Sequence, residues 1–285
     1  MGLSSVLPAT LASVPHCQQL SSWDCGLACV SMVLSALGQK HSLMDLRKEC
    51  PLESVWTIDL AYILRRFSVE DFTYYTSYIG VNWQYSSKEF YRDTWTLDRR
   101  RVQSLFAAAH DNRVRVVGLT LALDDIRRFL LSTVYAVIML VDLRLLRCRK
   151  CKSKSKWSWC RDSGESVVVG GNKMEESIPF RPGEGRSGVA ARSSPSSPPS
   201  TSRSLFLTTF SCFAWCGQKS YAMLGASDDF IGHYIVLIGY DSDHDFFYYR
   251  DPGTESDLCM IEGDDLESAR MNSGTDHDLV VVRVR

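Results

Sequence analysis

Twelve residues, Gln18-Gln19-Leu20-Ser21-Ser22-Trp23-Asp24-Cys25-Gly26-Leu27-Ala28-Cys29, lead without a break into an apolar segment at 30–37. No other stretch limits the fold as much. Leu27, Val30, Val33, Leu34 and Leu37 recur at helical spacing and Gly38 ends the pattern, so residues 25–37 are predicted to form a helix with one face committed to a core. Asp24 falls where an N-cap belongs, and Cys25 opens the helix at the positive end of its dipole. That placement favours thiolate. By itself, a cysteine at a helix start is more often a small buried apolar residue than a nucleophile.

A catalytic thiolate also needs a proton acceptor and an oxyanion donor. Gln19, six residues ahead of Cys25, offers a side-chain amide for the second task. The base candidate is far downstream, in Gly232-His233-Tyr234-Ile235-Val236-Leu237-Ile238-Gly239-Tyr240, followed by Asp251-Pro252-Gly253. Each piece has a plain structural alternative: a histidine opening an apolar strand is commonly structural, and Asp-Pro-Gly is first a turn. Together they follow the chain order of papain-like thiol hydrolases: Gln, Cys on a helix, His on a strand, Asp at the end of the next strand. In that arrangement His233 takes the Cys25 proton, Asp251 orients the imidazole, and Gln19 with the Cys25 backbone N–H holds the oxyanion. His16, His41, His110, His244 and His277 have no such setting; His16 lies in a lead-in punctuated by Pro8 and Pro15.

At 285 residues with 45% hydrophobic side chains, the chain can bury a sizeable core. Net charge is −1, from 32 Lys and Arg against 33 Asp and Glu, which argues against nucleic acid or an anionic membrane as a global partner. No apolar run reaches eighteen residues, and Met1-Gly2-Leu3-Ser4-Ser5-Val6 lacks a basic leader and a myristoylation Ser or Thr. A cytoplasmic or nuclear address is expected. Ten unevenly spaced cysteines then read as reduced thiols.

Short helices are expected at 43–50 and 58–67, the latter capped by Thr57, with further helices at 97–110, 122–131 and 264–271. An aromatic loop or short helix is expected at 82–91. Strands are expected at 71–76, 114–117, 135–141, 233–240, 246–250 and 278–284. The expected class is α+β, a papain-like cysteine-peptidase-type fold with N-terminal helices packed on a mainly antiparallel sheet. Residues 1–17 read as a flexible N-terminus, residues 18–147 and 212–285 as one domain, and residues 148–211 as an insertion, basic at first and then Ser/Pro/Gly-rich. The insertion has too little apolar surface to order itself. Cys148-x2-Cys151 with Cys212-x3-Cys216 could close a tetrahedral zinc site at its base, with Cys160 as an alternative fourth ligand. No phosphate-binding G-x-x-x-x-G-K-[ST] loop is present. Asp241, Asp243, Asp245 and Asp251 cluster in sequence, but an Asp-rich turn is usually solvated.

Four segments carry a resemblance to a known family: Trp23–Cys29, Ser54-Val55-Trp56-Thr57-Ile58-Asp59-Leu60-Ala61-Tyr62, Gly232–Leu237 and Ser273-Gly274-Thr275-Asp276. The chain resembles the guanylyl-cyclase-domain-containing proteins, whose plant relatives are described as soluble guanylyl cyclases. The family name implies conversion of GTP to cyclic GMP with Mg or Mn. The same motifs are also similar to peptidase domains that trim double-glycine leaders, and this second likeness puts nucleophile, oxyanion amide, base and orienting carboxylate at Cys25, Gln19, His233 and Asp251. Three readings stand: a thiol hydrolase acting on a peptide or protein with no cofactor required, a cyclase acting on GTP, and an inactive interaction module.

Overall fold

The computed structural model describes residues 14–50, 53–92, 94–151 and 230–285. The chain divides into two units, Met1–Lys156 with Gly225–Arg285, and Trp157–Leu224. The second unit lies outside the described residues, and so do Cys160, Cys212, Cys216 and most of the expected insertion.

In the first unit, α1 (Cys25–Ala36), α2 (Leu43–Glu49) and α3 (Thr57–Arg66) precede strand β1 (Phe72–Thr76). A 3-10 turn (Trp83–Ser87), α4 (Glu89–Arg92) and α5 (Trp95–Ala108) lead to β2 (Val116–Gly118), α6 (Leu123–Leu131) and β3 (Tyr135–Asp142). After the undescribed stretch come β4 (Gly232–Asp241), β5 (Phe246–Arg250), β6 (Cys259–Glu262), α7 (Gly263–Arg270) and β7 (Leu279–Arg283). The seven strands form one sheet in the order β2-β1-β7-β3-β4-β5-β6, antiparallel except for the β1–β2 pair.

The central strands are apolar at nearly every position because both sheet faces are covered. Ala136, Ile138, Leu140, Val236 and Ile238 pack with α1, α3 and α5, whereas Val137, Met139, Ile235, Leu237 and Phe247 pack with α6 and α7. Strand alternation thus gives two cores, one per face. Helices on the second face go beyond the expected picture of N-terminal helices on a sheet. α1 is buried along most of its length, from Cys25 through Leu34, so it serves as a central element of the first core.

Two expected caps are spent differently. Thr57 sits inside α3, where its hydroxyl meets the Tyr234 hydroxyl at 2.9 Å; the helix start is instead tied by the Trp56 N–H donating to Asp59 Oδ2 at 2.9 Å. Asp24 is the N-cap residue of α1 but makes no side-chain cap. Its Oδ1 turns back to accept from the N–H groups of Ser21 (2.9 Å) and Leu20 (3.2 Å). A buried carboxylate that close to two unpaired backbone donors satisfies them in preference to the helix end. The result is a rigid loop directly before Cys25.

Gly26 lets α1 approach β4. A Cβ there would lie 3.0 Å from Tyr234 Cδ2 and 3.1 Å from Leu60 Cδ2. Replacing Gly26 with Val should therefore cost about 1–3 kcal/mol through overpacking. Urea denaturation measures the loss, and an unchanged midpoint would contradict this packing.

Candidate active site

The site forms where the start of β4 meets the end of β5, beside the first turn of α1. His233 is the second residue of β4, paired with Val141 of the neighbouring strand. Asp251 directly follows β5. An antiparallel hairpin returns its second strand beside the start of its first, so eighteen residues of separation in sequence become one hydrogen bond. His233 Nε2 lies 2.8 Å from Asp251 Oδ1, with both side chains buried. A carboxylate only accepts, so Nε2 carries the proton and Nδ1 is the nitrogen left for another partner. The Cys25 sulfur lies beside the imidazole, near enough to act on its charge.

The residues after β5 hold the carboxylate in place. The Gly253 N–H donates to the same Asp251 Oδ1 at 2.9 Å. A Cβ on Gly253 would lie 3.2 Å from that oxygen, 3.3 Å from His233 Cε1 and 3.5 Å from Gln19 Oε1. Glycine thus eases the sharing of this space by three side chains and a turn.

The N-terminal segment is also tied to the site, although residues 1–17 were expected to be flexible throughout. Val14 is fully buried, and its carbonyl accepts from Arg250 Nε at 2.9 Å. His16 Nε2 donates to the Asp251 carbonyl at 3.0 Å, and the Gln19 N–H donates to the Pro252 carbonyl at 2.9 Å. Residues 14–19 therefore run alongside 250–252, which brings Gln19 to the dyad. His16 props the backbone of Asp251 and makes no contact with the thiol pair that would give it the base role.

The Gln19 amide has one N–H donating to the Ser21 carbonyl at 2.7 Å. Its second N–H is uncommitted there, and Oε1 is buried with no hydrogen-bond partner among the described residues. An unpartnered buried oxygen costs stability, which is usual where a site must receive a ligand.

Burial opposes charge on the His233 ring, but the Asp251 carboxylate, by charge and hydrogen bond, and the Cys25 sulfur together outweigh it and push the imidazole pKa up to about 10. Cys29, one turn further along α1, is wholly buried, and burial pushes its thiol well up. It belongs to the core.

Cys148 and Cys151 come together, but the third sulfur beside them belongs to Cys259 of β6, and all three lie within 4.8 Å of one another. Cys212 and Cys216 fall outside the described residues. The acidic turn is engaged locally: Asp241 Oδ2 pairs with His244 Nδ1 at 3.0 Å, and Asp245 with Arg127 and the Tyr240 hydroxyl.

A raised imidazole pKa makes stability depend on pH. Against the ordinary value of 6.5, His233 contributes stability that is complete below about pH 6.5 and is lost as pH rises through about 10. Chemical denaturation of the wild type should therefore weaken across that window, and His233→Gln should weaken distinctly less. Parallel losses in the two proteins would contradict the pairing.

The described residues include no helix long and apolar enough to cross a membrane. A family model described as guanylylate cyclase matches residues 14–176 and 205–282, leaving out part of the Ser/Pro/Gly-rich stretch. A relative named Guanylyl cyclase 1, from Arabidopsis thaliana, is 34% identical over 272 residues, which is 95% of this chain and 76% of the relative. On both counts the chain belongs to the guanylylate cyclase family.

Proposed function

We propose that the protein is a papain-like thiol hydrolase that cleaves an acyl bond in a peptide or protein, with Cys25 as nucleophile. One observation carries this reading: a single buried imidazole is hydrogen-bonded through Nε2 to Asp251 and lies beside the Cys25 sulfur. That is the base-and-orienter geometry of nucleophilic catalysis.

The Cys25 thiolate attacks the substrate carbonyl carbon and forms the C–S bond. The developing oxyanion meets the backbone N–H of Cys25, one of the helix-start donors without an intrahelical acceptor, and the second Gln19 N–H. As the C–N bond breaks, the imidazolium of His233 gives its proton to the leaving amine. Water then adds to the thioester while His233 takes its proton, and the C–S bond breaks to return the thiolate. Asp251 keeps the ring oriented and stabilises its charge in both halves. No cofactor enters this sequence.

The family description and the relative's name favour a second reading, cyclisation of GTP. That chemistry calls for a divalent cation held by carboxylates near the substrate phosphates. Of the four carboxylates nominated near the hairpin, Asp241, Asp245 and Asp251 are engaged by His244, Arg127 and His233, and only the Asp243 carboxylate has no side-chain partner among the described residues.

An electrophilic peptide probe should label wild-type protein at Cys25, and His233→Gln should slow labelling by about 10²-fold or more. Asp251→Asn should slow it to a smaller extent. Labelling that ignores His233 contradicts the hydrolase reading. The same proteins incubated with GTP and Mg or Mn test the alternative: cyclic GMP made equally by wild type and Cys25→Ala would favour the cyclase, and silence in both assays would favour a binding module.

A further inference from the structure

We propose that Cys148, Cys151 and Cys259 bind one zinc ion and that this site anchors the loop whose other end carries Asp251. The three sulfurs come from two segments 108 residues apart in sequence, yet all lie within 4.8 Å of one another, with Cys151 Sγ 3.4 Å from Cys259 Sγ. Ligands at about 2.3 Å around a tetrahedral zinc stand roughly 3.8 Å apart, whereas a disulfide requires about 2.05 Å. The sulfurs are too far apart at their 3.4 Å pair for a disulfide and close enough to converge on one ion.

The surroundings suit thiolates. The Cys151 N–H donates to Cys148 Sγ at 3.1 Å, so the four-residue turn folds its own backbone donor onto the first sulfur. The Arg149 N–H donates to the Met260 carbonyl at 2.8 Å, and Met260 returns a backbone hydrogen bond to Cys148, which docks the turn on β6. Tyr249, directly across the β5–β6 ladder from Cys259, is fully buried, and its hydroxyl has no hydrogen-bond partner among the described residues. A backbone donor on sulfur is an outer-shell contact of the kind that orients metal thiolates. No fourth His, Cys, Asp or Glu joins the trio among the described residues.

The site bears on the dyad through a short span. Asp251 and Cys259 bound one loop, and Thr254 bridges it: the Thr254 N–H donates to the Asp251 carbonyl at 3.2 Å while its hydroxyl lies 3.9 Å from Cys259 Sγ. An ion at Cys259 would fix the far end of the segment that sets the Asp251 carboxylate. This assignment does not depend on what the dyad catalyses.

The test is the metal content of the full chain purified without chelator. One equivalent of zinc is expected, retained when Cys160, Cys212 and Cys216 are all changed to Ser, and lost in both Cys259→Ser and Cys148→Ser. Cobalt titrated into metal-stripped wild type, which needs no variant to fold, should give a thiolate-to-cobalt charge-transfer band saturating at one equivalent. Wild type with no zinc and no such band, zinc retained by Cys259→Ser, or a Cys151–Cys259 disulfide found by mass spectrometry of unreduced protein would each overturn the proposal.

Discussion

A buried carboxylate and a buried imidazole coexist in an interior only when each supplies what the other lacks. His233 and Asp251 do this through one hydrogen bond of 2.8 Å, and most of the surrounding structure serves to hold it. Removing one partner of such a pair leaves an uncompensated charge, typically at a cost of about 3–5 kcal/mol. The hairpin register brings the two residues together, the Gly253 N–H fixes the carboxylate oxygen, and the N-terminal segment closes over the backbone of residues 250–252. On the other side, Gly26 allows α1 to lie close to β4, and the Asp24 loop stiffens the approach to Cys25. The sulfur meets the imidazole because two elements, nearly two hundred residues apart in sequence, are each over-constrained.

Much of this was legible in the chain. The period of α1, the continuous apolar strands on both sides of the undescribed stretch, and the spacing of His233 and Asp251 were all readable, since period and hairpin return are local properties. What escaped was set by tertiary pairing. β6 was unforeseen, because its four residues gain strand character only from the partner β5. Cys259 was missed as a companion of Cys148 and Cys151 for the same reason. Asp24 stands at the cap position of α1 but turns its carboxylate to Ser21 and Leu20, and Thr57 falls one residue inside α3, where its hydroxyl meets Tyr234. His16 looked idle in a Pro-punctuated lead-in, and only Arg250 and Asp251 reveal why that segment is held.

The family's cyclase label and the thiol site describe different chemistry, and the physical contrast between them is in how charge is arranged. Phosphoryl chemistry wants carboxylates free to hold a cation; here Asp241, Asp245 and Asp251 are committed to His244, Arg127 and His233. Acyl transfer wants a thiol, a proton carrier and an oxyanion donor close together, and the Gln19 amide beside the dyad keeps a buried oxygen with no partner among the described residues. The sulfur trio adds a separate constraint at the other end of the Asp251 loop. Cys259, at that end, shares a cluster with Cys148 and Cys151 and lies 3.9 Å from the Thr254 hydroxyl.

The most direct measurement is nitrogen NMR of the His233 imidazole as pH is varied, in wild type and in Cys25→Ser. A ring that shares one proton with Asp251 and faces a thiolate should have both nitrogens protonated at neutral pH, titrate near 10, and drop when the sulfur is replaced. A neutral ring at pH 7 that titrates in the ordinary range and ignores residue 25 would contradict the pairing on which the site is built.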